Sequence, residues 1–238
     1  MISLKNIGTF KLLKCLLTLP FSLAMLYSCH QNPSAAYSNW ETYGGNKEAN
    51  HYSSLSQIDT NNVTQLQVAW TYHTGDADSM TQIQVNSIII DSTLFGVSPK
   101  LKLFALNAGT GMPKWVYDPM TDPDTKKAGN FGMNVCRGVT YYSDNGDSGR
   151  IFYSANSQLY CIDAKTGSPV QSFGQKGKID LHNDLGRDVS NLYVAQTSPG
   201  IIFKDMIIIG CRVAEEAAAA PGYIRAYDVH TGKLRWIN

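Results

Sequence analysis

Cysteine is the residue type in this sequence best suited to bind metals or form covalent links, and its spacing limits which chemistry is available. The five cysteines are Cys15, Cys29, Cys136, Cys161 and Cys211. None lies in a C-x-x-C or C-x-x-C-H pair, so the sequence predicts neither a zinc site nor an attached haem. We expect Cys136, Cys161 and Cys211 to be small, buried, apolar side chains in strands.

The histidines form no pattern of nucleophile, base and orienting acid. We expect four of them to be surface or turn residues rather than general bases: His51, His73, His182 and His230. The formal net charge of +1 gives no electrostatic argument for binding nucleic acid or a strongly charged substrate.

The N-terminus has the pattern of a secretory targeting segment. Lys5, Lys11 and Lys14 precede the uncharged run from Cys15 to Tyr27. That run has 13 residues, fewer than the roughly 20 that a helix needs to cross a bilayer. The sequence therefore predicts a signal peptide rather than a permanent membrane helix.

The residues after the apolar run indicate the type of signal. Leu26-Tyr27-Ser28-Cys29 resembles the lipobox of bacterial lipoproteins, in which the cysteine is acylated after cleavage. We predict a lipoprotein signal over residues 1–28, lipidation of Cys29 and a flexible tether over 29–39. The alternative is an ordinary signal peptide cut at another site.

A repeated turn organises the remaining chain. In each copy an apolar strand ends in Asp or Asn, and Thr-Gly follows after two residues. The strand-terminal residues Asn107, Asp163 and Asp228 are 56 and 65 positions apart. Such a period holds four short strands with loops and is typical of β-propeller blades. The three copies are Leu101–Trp115, Ser157–Phe173 and Tyr223–Trp236.

The repeat also predicts local geometry. The Asp or Asn side chain can accept hydrogen bonds from the following backbone, and the glycine can take a positive φ. We expect Trp115 and Trp236 to lie between neighbouring blades. The middle copy has Gln171 at the tryptophan position, and Phe173 is a candidate substitute.

Two hairpins follow from apolar runs upstream of the turns. Ser87–Ile90 is expected to pair with Leu94–Val97, and Gly200–Phe203 with Met206–Ile209. No helical period of useful length is present outside the signal. The predicted fold is therefore all-β, a β-propeller.

Two long stretches resemble a known family beyond the generic turn. Trp40 to Asp76 is similar to the first segment of quinoprotein glucose and alcohol dehydrogenases, which depend on pyrroloquinoline quinone (PQQ). Thr197 to Trp236 is similar to the third-blade region of their glucose-dehydrogenase-like branch. The resemblance covers about residues 40–238, which we predict to be the N-terminal part of a PQQ-type propeller.

The resemblance implies PQQ and calcium as cofactors, bound in the axial funnel of the propeller. Gln84 occupies a position where the family places a polar contact to PQQ, and Arg137 matches an arginine near a PQQ carboxylate. Thr197, with Gln196 beside it, matches the contact at the next blade. Gln84 could instead be a solvated strand residue, and Arg137 could pair with an acidic neighbour.

The third blade carries the remaining matches. Arg212, Val213 and Ala214 resemble the segment that runs along PQQ, and Glu215 falls where related alcohol dehydrogenases place a calcium ligand. The adjacent Glu216 leaves the register open, and calcium needs several oxygen ligands.

Two departures from the family leave the substrate open. Met133 stands where membrane glucose dehydrogenases have a histidine, and Cys136 has no cysteine neighbour, unlike the alcohol-oxidising branch. An aldose sugar and an alcohol both remain candidate substrates.

The repeats account for about three blades, whereas family members use about eight. We therefore expect an N-terminal portion of a longer enzyme. The resemblance implies that the catalytic aspartate and the other calcium ligands come from other blades, so no catalytic residue is assigned here and the isolated chain is expected to be inactive.

The implied activity is oxidation of a CH–OH group, with electrons passed to a respiratory quinone or another carrier. One alternative is a non-enzymatic propeller lipoprotein that scaffolds outer-membrane protein assembly. Another is a propeller that binds or senses a small ligand. We expect a periplasm-facing, membrane-anchored protein, and His30 after Cys29 favours the outer membrane over the inner.

Overall fold

The computed structural model describes residues 38–123, 135–144 and 147–238. Regular structure in these ranges consists of strands, apart from short 3-10 turns at Val63–Gln65 and Pro119–Thr121. The predicted signal peptide, Cys29, most of the tether and Met133 lie outside the described residues. Within the ranges described, no helix has the length and apolar character needed to cross a membrane.

The described chain contains three four-stranded antiparallel sheets, which confirms the predicted propeller-type architecture. They follow one another along the sequence, and each is one blade. Blade 1 contains β1 (Ile88–Ile90), β2 (Thr93–Val97), β3 (Leu103–Asn107) and β4 (Pro113–Tyr117). Blade 2 contains β5 (Thr140–Tyr142), β6 (Arg150–Ala155), β7 (Gln158–Asp163) and β8 (Lys178–Asp180).

Blade 3 has the same order with an added ladder. Its strands are β10 (Ile201–Phe203), β11 (Met206–Ile209), β13 (Arg225–Asp228) and β14 (Leu234–Ile237). A separate two-stranded ladder joins β9 (Val194–Ala195), just before the blade, to β12 (Arg212–Val213), between β11 and β13. The predicted β1–β2 and β10–β11 hairpins are confirmed.

The three repeat turns have the predicted geometry. Oδ1 of Asp228 accepts hydrogen bonds from the backbone N–H groups of His230 and Thr231, at 3.0 and 2.8 Å. Asn107 and Asp163 accept the equivalent pairs in their turns. The turn glycines have φ values of 71°, 72° and 70°, a conformation that a side chain disfavours. They are Gly111, Gly167 and Gly232.

Tryptophan side chains join successive blades at these turns. Trp115 lies on the blade 2 turn, and its Nε1–H donates to the Ala164 carbonyl at 3.1 Å. A Cβ atom on Gly167 would lie 2.6 Å from the Trp115 ring, so the ring requires glycine there. Nε1–H of Trp70 likewise donates to the Ala108 carbonyl of the blade 1 turn at 3.1 Å. The position predicted for Trp115 is confirmed, whereas Trp70 was not predicted.

Blades 2 and 3 are joined without a tryptophan. Phe173 is fully buried and packs edge-on against Phe152, with ring centroids 5.4 Å apart. The N–H of the next residue, Gly174, donates to the Thr231 carbonyl of the blade 3 turn at 2.9 Å. Phe173 is therefore part of the core, and the backbone of Gly174 makes the contact with the blade 3 turn that a tryptophan ring makes with the other two turns. Trp236 has no following blade among the described residues and is 39% exposed.

The cysteines differ in their surroundings. Cys161 is buried in β7, as predicted, whereas Cys136 is buried ahead of β5 and Cys211 is only half-buried after β11. Burial raises the thiol pKa to about 11 for Cys136 and about 12 for Cys161. Both thiols are therefore protonated and inert near neutral pH.

Candidate functional site

The segments that lead into the first strands of the three blades lie side by side. The Asn86 N–H donates to the Arg137 carbonyl, and the Arg137 N–H donates to the Thr197 carbonyl, both at 2.8 Å. We call these two bonds the leading ladder and its side of the molecule the leading end. The repeat turns lie at the opposite end, because each first strand runs from the leading ladder towards a hairpin that contacts a repeat turn.

Arg137 and Thr197 also meet through their side chains. Arg137 Nη1 donates to Thr197 Oγ1 at 3.0 Å, although the residues are 60 positions apart. This contact uses one of the five N–H donors of the guanidinium. The contact found for Arg137 is thus a hydroxyl from the next blade, rather than the acidic neighbour considered as an alternative.

Close packing holds the Arg137 backbone in place. Gly138 is packed so closely between the segment before blade 1 and the one before blade 3 that a Cβ atom would lie 2.9 Å from the Tyr43 ring and 3.3 Å from Pro199. Cys136, on the other side of Arg137, is buried. The Cys-Arg-Gly sequence therefore places a half-buried guanidinium between two tightly packed small residues.

Gln196 is engaged by the protein itself. Its Oε1 accepts from Ser154 Oγ at 2.6 Å, and its Nε2 donates to the Ser198 carbonyl at 2.9 Å. Both Gln196 and Ser154 are buried. The Gln196 amide therefore fixes the leading segment of blade 3 to β6 of blade 2.

The β9–β12 ladder brings the third-blade residues to the same end. Arg212 pairs with Ala195, the residue before Gln196, and Val213 pairs with Val194. Arg212, Val213 and Ala214 are half-buried, and Glu215 is exposed. Gln84 is also exposed, two positions before the Asn86 bond of the leading ladder.

The described residues contain no cluster of three or more His, Cys, Asp or Glu side chains able to hold a metal ion. Glu215 therefore belongs to no such cluster among these residues. Both ring nitrogens of His182 have close partners: Nδ1 lies 2.7 Å from Asp180 and Nε2 lies 3.0 Å from the Leu192 carbonyl. The bond to Asp180 raises the pKa of His182 despite its partial burial.

The donor chemistry of the leading end suits a planar polyanion. Arg137 and Arg212 lie on the two segments that flank the Thr197 segment, and the Thr197 hydroxyl accepts a bond from Arg137. Guanidinium groups bind carboxylates through parallel N–H donors. A flat tricarboxylate such as PQQ fits this donor set.

Comparison with known proteins shows the family of this propeller. Residues 40–237 match the family model described as "PQQ: Glucose/ethanol/alcohol dehydrogenase, beta-propeller domain". The chain is 32% identical to quinoprotein glucose dehydrogenase A of Acinetobacter calcoaceticus, over 86% of this chain and 28% of that protein. It is also 32% identical to quinoprotein glucose dehydrogenase of Escherichia coli, over 83% of this chain and 26% of that protein.

A solved structure shows the same fold. The quinohemoprotein alcohol dehydrogenase from Comamonas testosteroni superposes with a TM-score of 0.67 at 26% identity, covering 87% of this chain and 28% of that chain. The chain thus spans little more than a quarter of the length of these relatives. On the family match over nearly the whole described chain, the protein belongs to the PQQ-dependent glucose, ethanol and alcohol dehydrogenase β-propeller family.

Proposed function

We propose that this chain forms part of the PQQ-binding face of a dehydrogenase that oxidises the CH–OH group of an aldose or an alcohol. The proposed electron acceptor of the whole enzyme is a respiratory quinone or another carrier. The observation that carries the proposal is the side-chain bond between Arg137 and Thr197 across two blades, with Arg212 on the adjoining ladder. The family match and the named activities of the relatives support it, and the scaffold alternative is not favoured.

Each proposed site residue has a defined task. Arg137 binds a PQQ carboxylate, and Thr197 holds its guanidinium in orientation through the 3.0 Å bond. Arg212 supplies a second cation. Val213 and Ala214 form an apolar surface beside the flat rings of PQQ. The exposed Gln84 makes a polar contact at the edge of the site. The buried Gln196 positions the Thr197 segment.

The remaining chemistry is shared with other parts of the enzyme. When bound, PQQ supplies two-electron oxidation. The residues assigned here bind and orient, and none of them is assigned as general base for the substrate hydroxyl. We propose that the base lies in blades other than these three, so that these 238 residues alone bind cofactor without turnover.

The cofactor and metal proposals are tested together by titrating the protein with PQQ, with and without calcium, and following quinone absorbance. We expect saturable binding that calcium strengthens, because a bound cation offsets the charge of the PQQ carboxylates. Glu215→Ala should weaken the calcium dependence about tenfold, since it removes a charged oxygen ligand. Its matched control, Glu216→Ala, should leave the dependence within about twofold.

Two results would count against these proposals. Equal effects of the two glutamate substitutions on the calcium dependence would mean that Glu215 is not a calcium ligand. A folded wild-type protein that binds no PQQ would favour the scaffold or sensor alternatives.

We further propose that residues 1–28 are a lipoprotein signal, that acylated Cys29 anchors the protein to a periplasm-facing membrane, and that 29–39 is the tether. The lipobox-like sequence before Cys29 supports this proposal. We expect Cys29→Ser to move most of the protein from the membrane fraction to the soluble periplasmic fraction. Cys15→Ser, within the proposed signal, is the control. Retention of the Cys29→Ser protein in membranes would contradict the lipid anchor.

A further inference from the structure

Arg225, the first residue of β13, is a buried cation with an unusual set of partners. Its side chain has 0% exposure, and the bonds it makes go to backbone carbonyls of the described chain rather than to carboxylates. Burying a charge is unfavourable unless hydrogen bonds compensate for the lost water. The position of Arg225 therefore depends on the groups that surround it.

Two of these groups lie in the connection between blades 2 and 3. Arg225 Nη1 donates to the Leu181 carbonyl at 2.8 Å and to the Asn183 carbonyl at 3.1 Å. His182, between them, bonds to the Leu192 carbonyl further along the connection at 3.0 Å. The connection is thus fixed at its start by Arg225 and is tied by His182 to a point just before β9.

The other neighbours belong to blade 3. Arg225 Cζ lies 5.8 Å from the centre of the Tyr227 ring, a cation–π contact. Burial raises the pKa of the Cys211 thiol, and the charge of the nearby Arg225 opposes that rise. Cys211 directly precedes β12, which begins at Arg212. Nε and Nη2 of Arg225 have no hydrogen-bond partner among the described residues.

Arg225 therefore links both segments that meet in the β9–β12 ladder: it bonds to the connection that leads to β9, and it pairs with Ile209 at the end of β11, three residues before Arg212. The connection it fixes leads into β9 and then to Thr197, and Cys211 leads into β12 and Arg212. We propose that Arg225 is a positioning residue that sets the spacing between the Thr197 and Arg212 segments at the leading end. The inference rests on the proposed function for its link to PQQ, but the effect on the ladder is independent of it.

A matched control is present at the opposite end of the same pair of blades. Arg150, the first residue of β6, donates to the carbonyls of Val229 and His230 at 3.2 and 3.4 Å. It also lies close to a cysteine, since its charge opposes the rise that burial causes in the pKa of Cys161. Arg150 thus joins blades 2 and 3 through two carbonyls, as Arg225 does, but far from the leading ladder.

The test compares Arg225→Met with Arg150→Met, each introduced into the protein that the native host produces. Amide hydrogen exchange is measured at the β9–β12 ladder and at the Arg137 N–H, and PQQ affinity is measured by titration. We expect Arg225→Met to speed exchange at these amides about tenfold or more, as the loss of charge-assisted bonds predicts. PQQ affinity should fall about tenfold, and Arg150→Met should change both quantities less than about threefold.

Arg225→Lys covers the case in which the methionine variant does not fold. Lysine keeps the charge, but it lacks the planar guanidinium that orients the two Nη1 N–H donors towards the Leu181 and Asn183 carbonyls, so we expect the same selective pattern with a smaller amplitude. Exchange that rises equally over all blades, or equally in the Arg225 and Arg150 variants, would overturn the positioning role. If the ladder responds selectively but wild-type protein binds no PQQ, the positioning role stands and the proposed function fails.

Discussion

Replacing Arg137 by alanine is expected to weaken PQQ binding about 30- to 100-fold, the equivalent of about 2–3 kcal/mol. The substitution removes a half-buried guanidinium that Thr197 already orients, so the lost interaction is charge-assisted and pre-organised. Equilibrium titration followed by quinone absorbance measures the change. Arg137→Lys should recover only part of the affinity, because an ammonium group lacks the planar fork.

The control for charge is Arg235→Ala. Arg235 is at the turn end, where it pairs with Asp228 at 2.8 Å and Asp205 at 3.3 Å. Its removal should leave PQQ affinity unchanged within about twofold, since it is an exposed ion pair. If the two alanine variants lose affinity equally, the binding is a general effect of positive charge and Arg137 has no specific role.

Replacing Trp115 by alanine is expected to lower the free energy of unfolding by about 3–5 kcal/mol. The ring packs on Gly167 of the next blade and donates to Ala164, so the variant loses apolar burial and leaves a carbonyl without its donor. Urea unfolding followed by circular dichroism measures the loss. Trp115→Phe should cost about 1–2 kcal/mol, because it retains most of the ring packing but lacks the Nε1 donor.

Met112 provides the comparison in the same blade, just ahead of β4. Its side chain is 67% exposed, so Met112→Ala should change stability by less than about 0.5 kcal/mol. A Trp115→Ala variant as stable as the Met112→Ala variant would mean that the tryptophan does not join blades 1 and 2.

The turns and hairpins could be predicted from the sequence because their interactions are local. Asp228 bonds to residues only two and three positions away, and Gly232 adopts the positive φ of the turn because it has no side chain. The same locality placed the β10–β11 hairpin at Lys204-Asp205. These elements depend on no contact with a distant part of the chain.

Apart from Trp115, the contacts between blades could not be derived from spacing. Trp70 docks on Ala108, 38 positions away, but it lacks the Thr-Gly turn that precedes Trp115, so the repeat did not mark it. Phe173 was a candidate to replace the missing tryptophan, but the backbone of Gly174 makes the contact with the blade 3 turn. No residue preference in the sequence predicts a backbone contact of this kind.

The candidate site shows the same limit. Arg137 and Thr197 were singled out by family resemblance, and their bond depends on two blades being adjacent. Gln196 was predicted to contact PQQ beside Thr197, and the bond from Ser154 on which its proposed positioning role rests joins residues 42 positions apart. The two carbonyl partners of Arg225 lie at a similar separation, so its burial could not be inferred from the sequence.

The most direct test of the PQQ-binding proposal is a crystal structure of the protein with PQQ and calcium. We expect PQQ at the leading end, with one carboxylate bonded to the Arg137 guanidinium and the ring edge along Arg212–Ala214. PQQ bound at the turn end, or at the leading end with Arg137 still bonded only to Thr197, would rule out the proposed site.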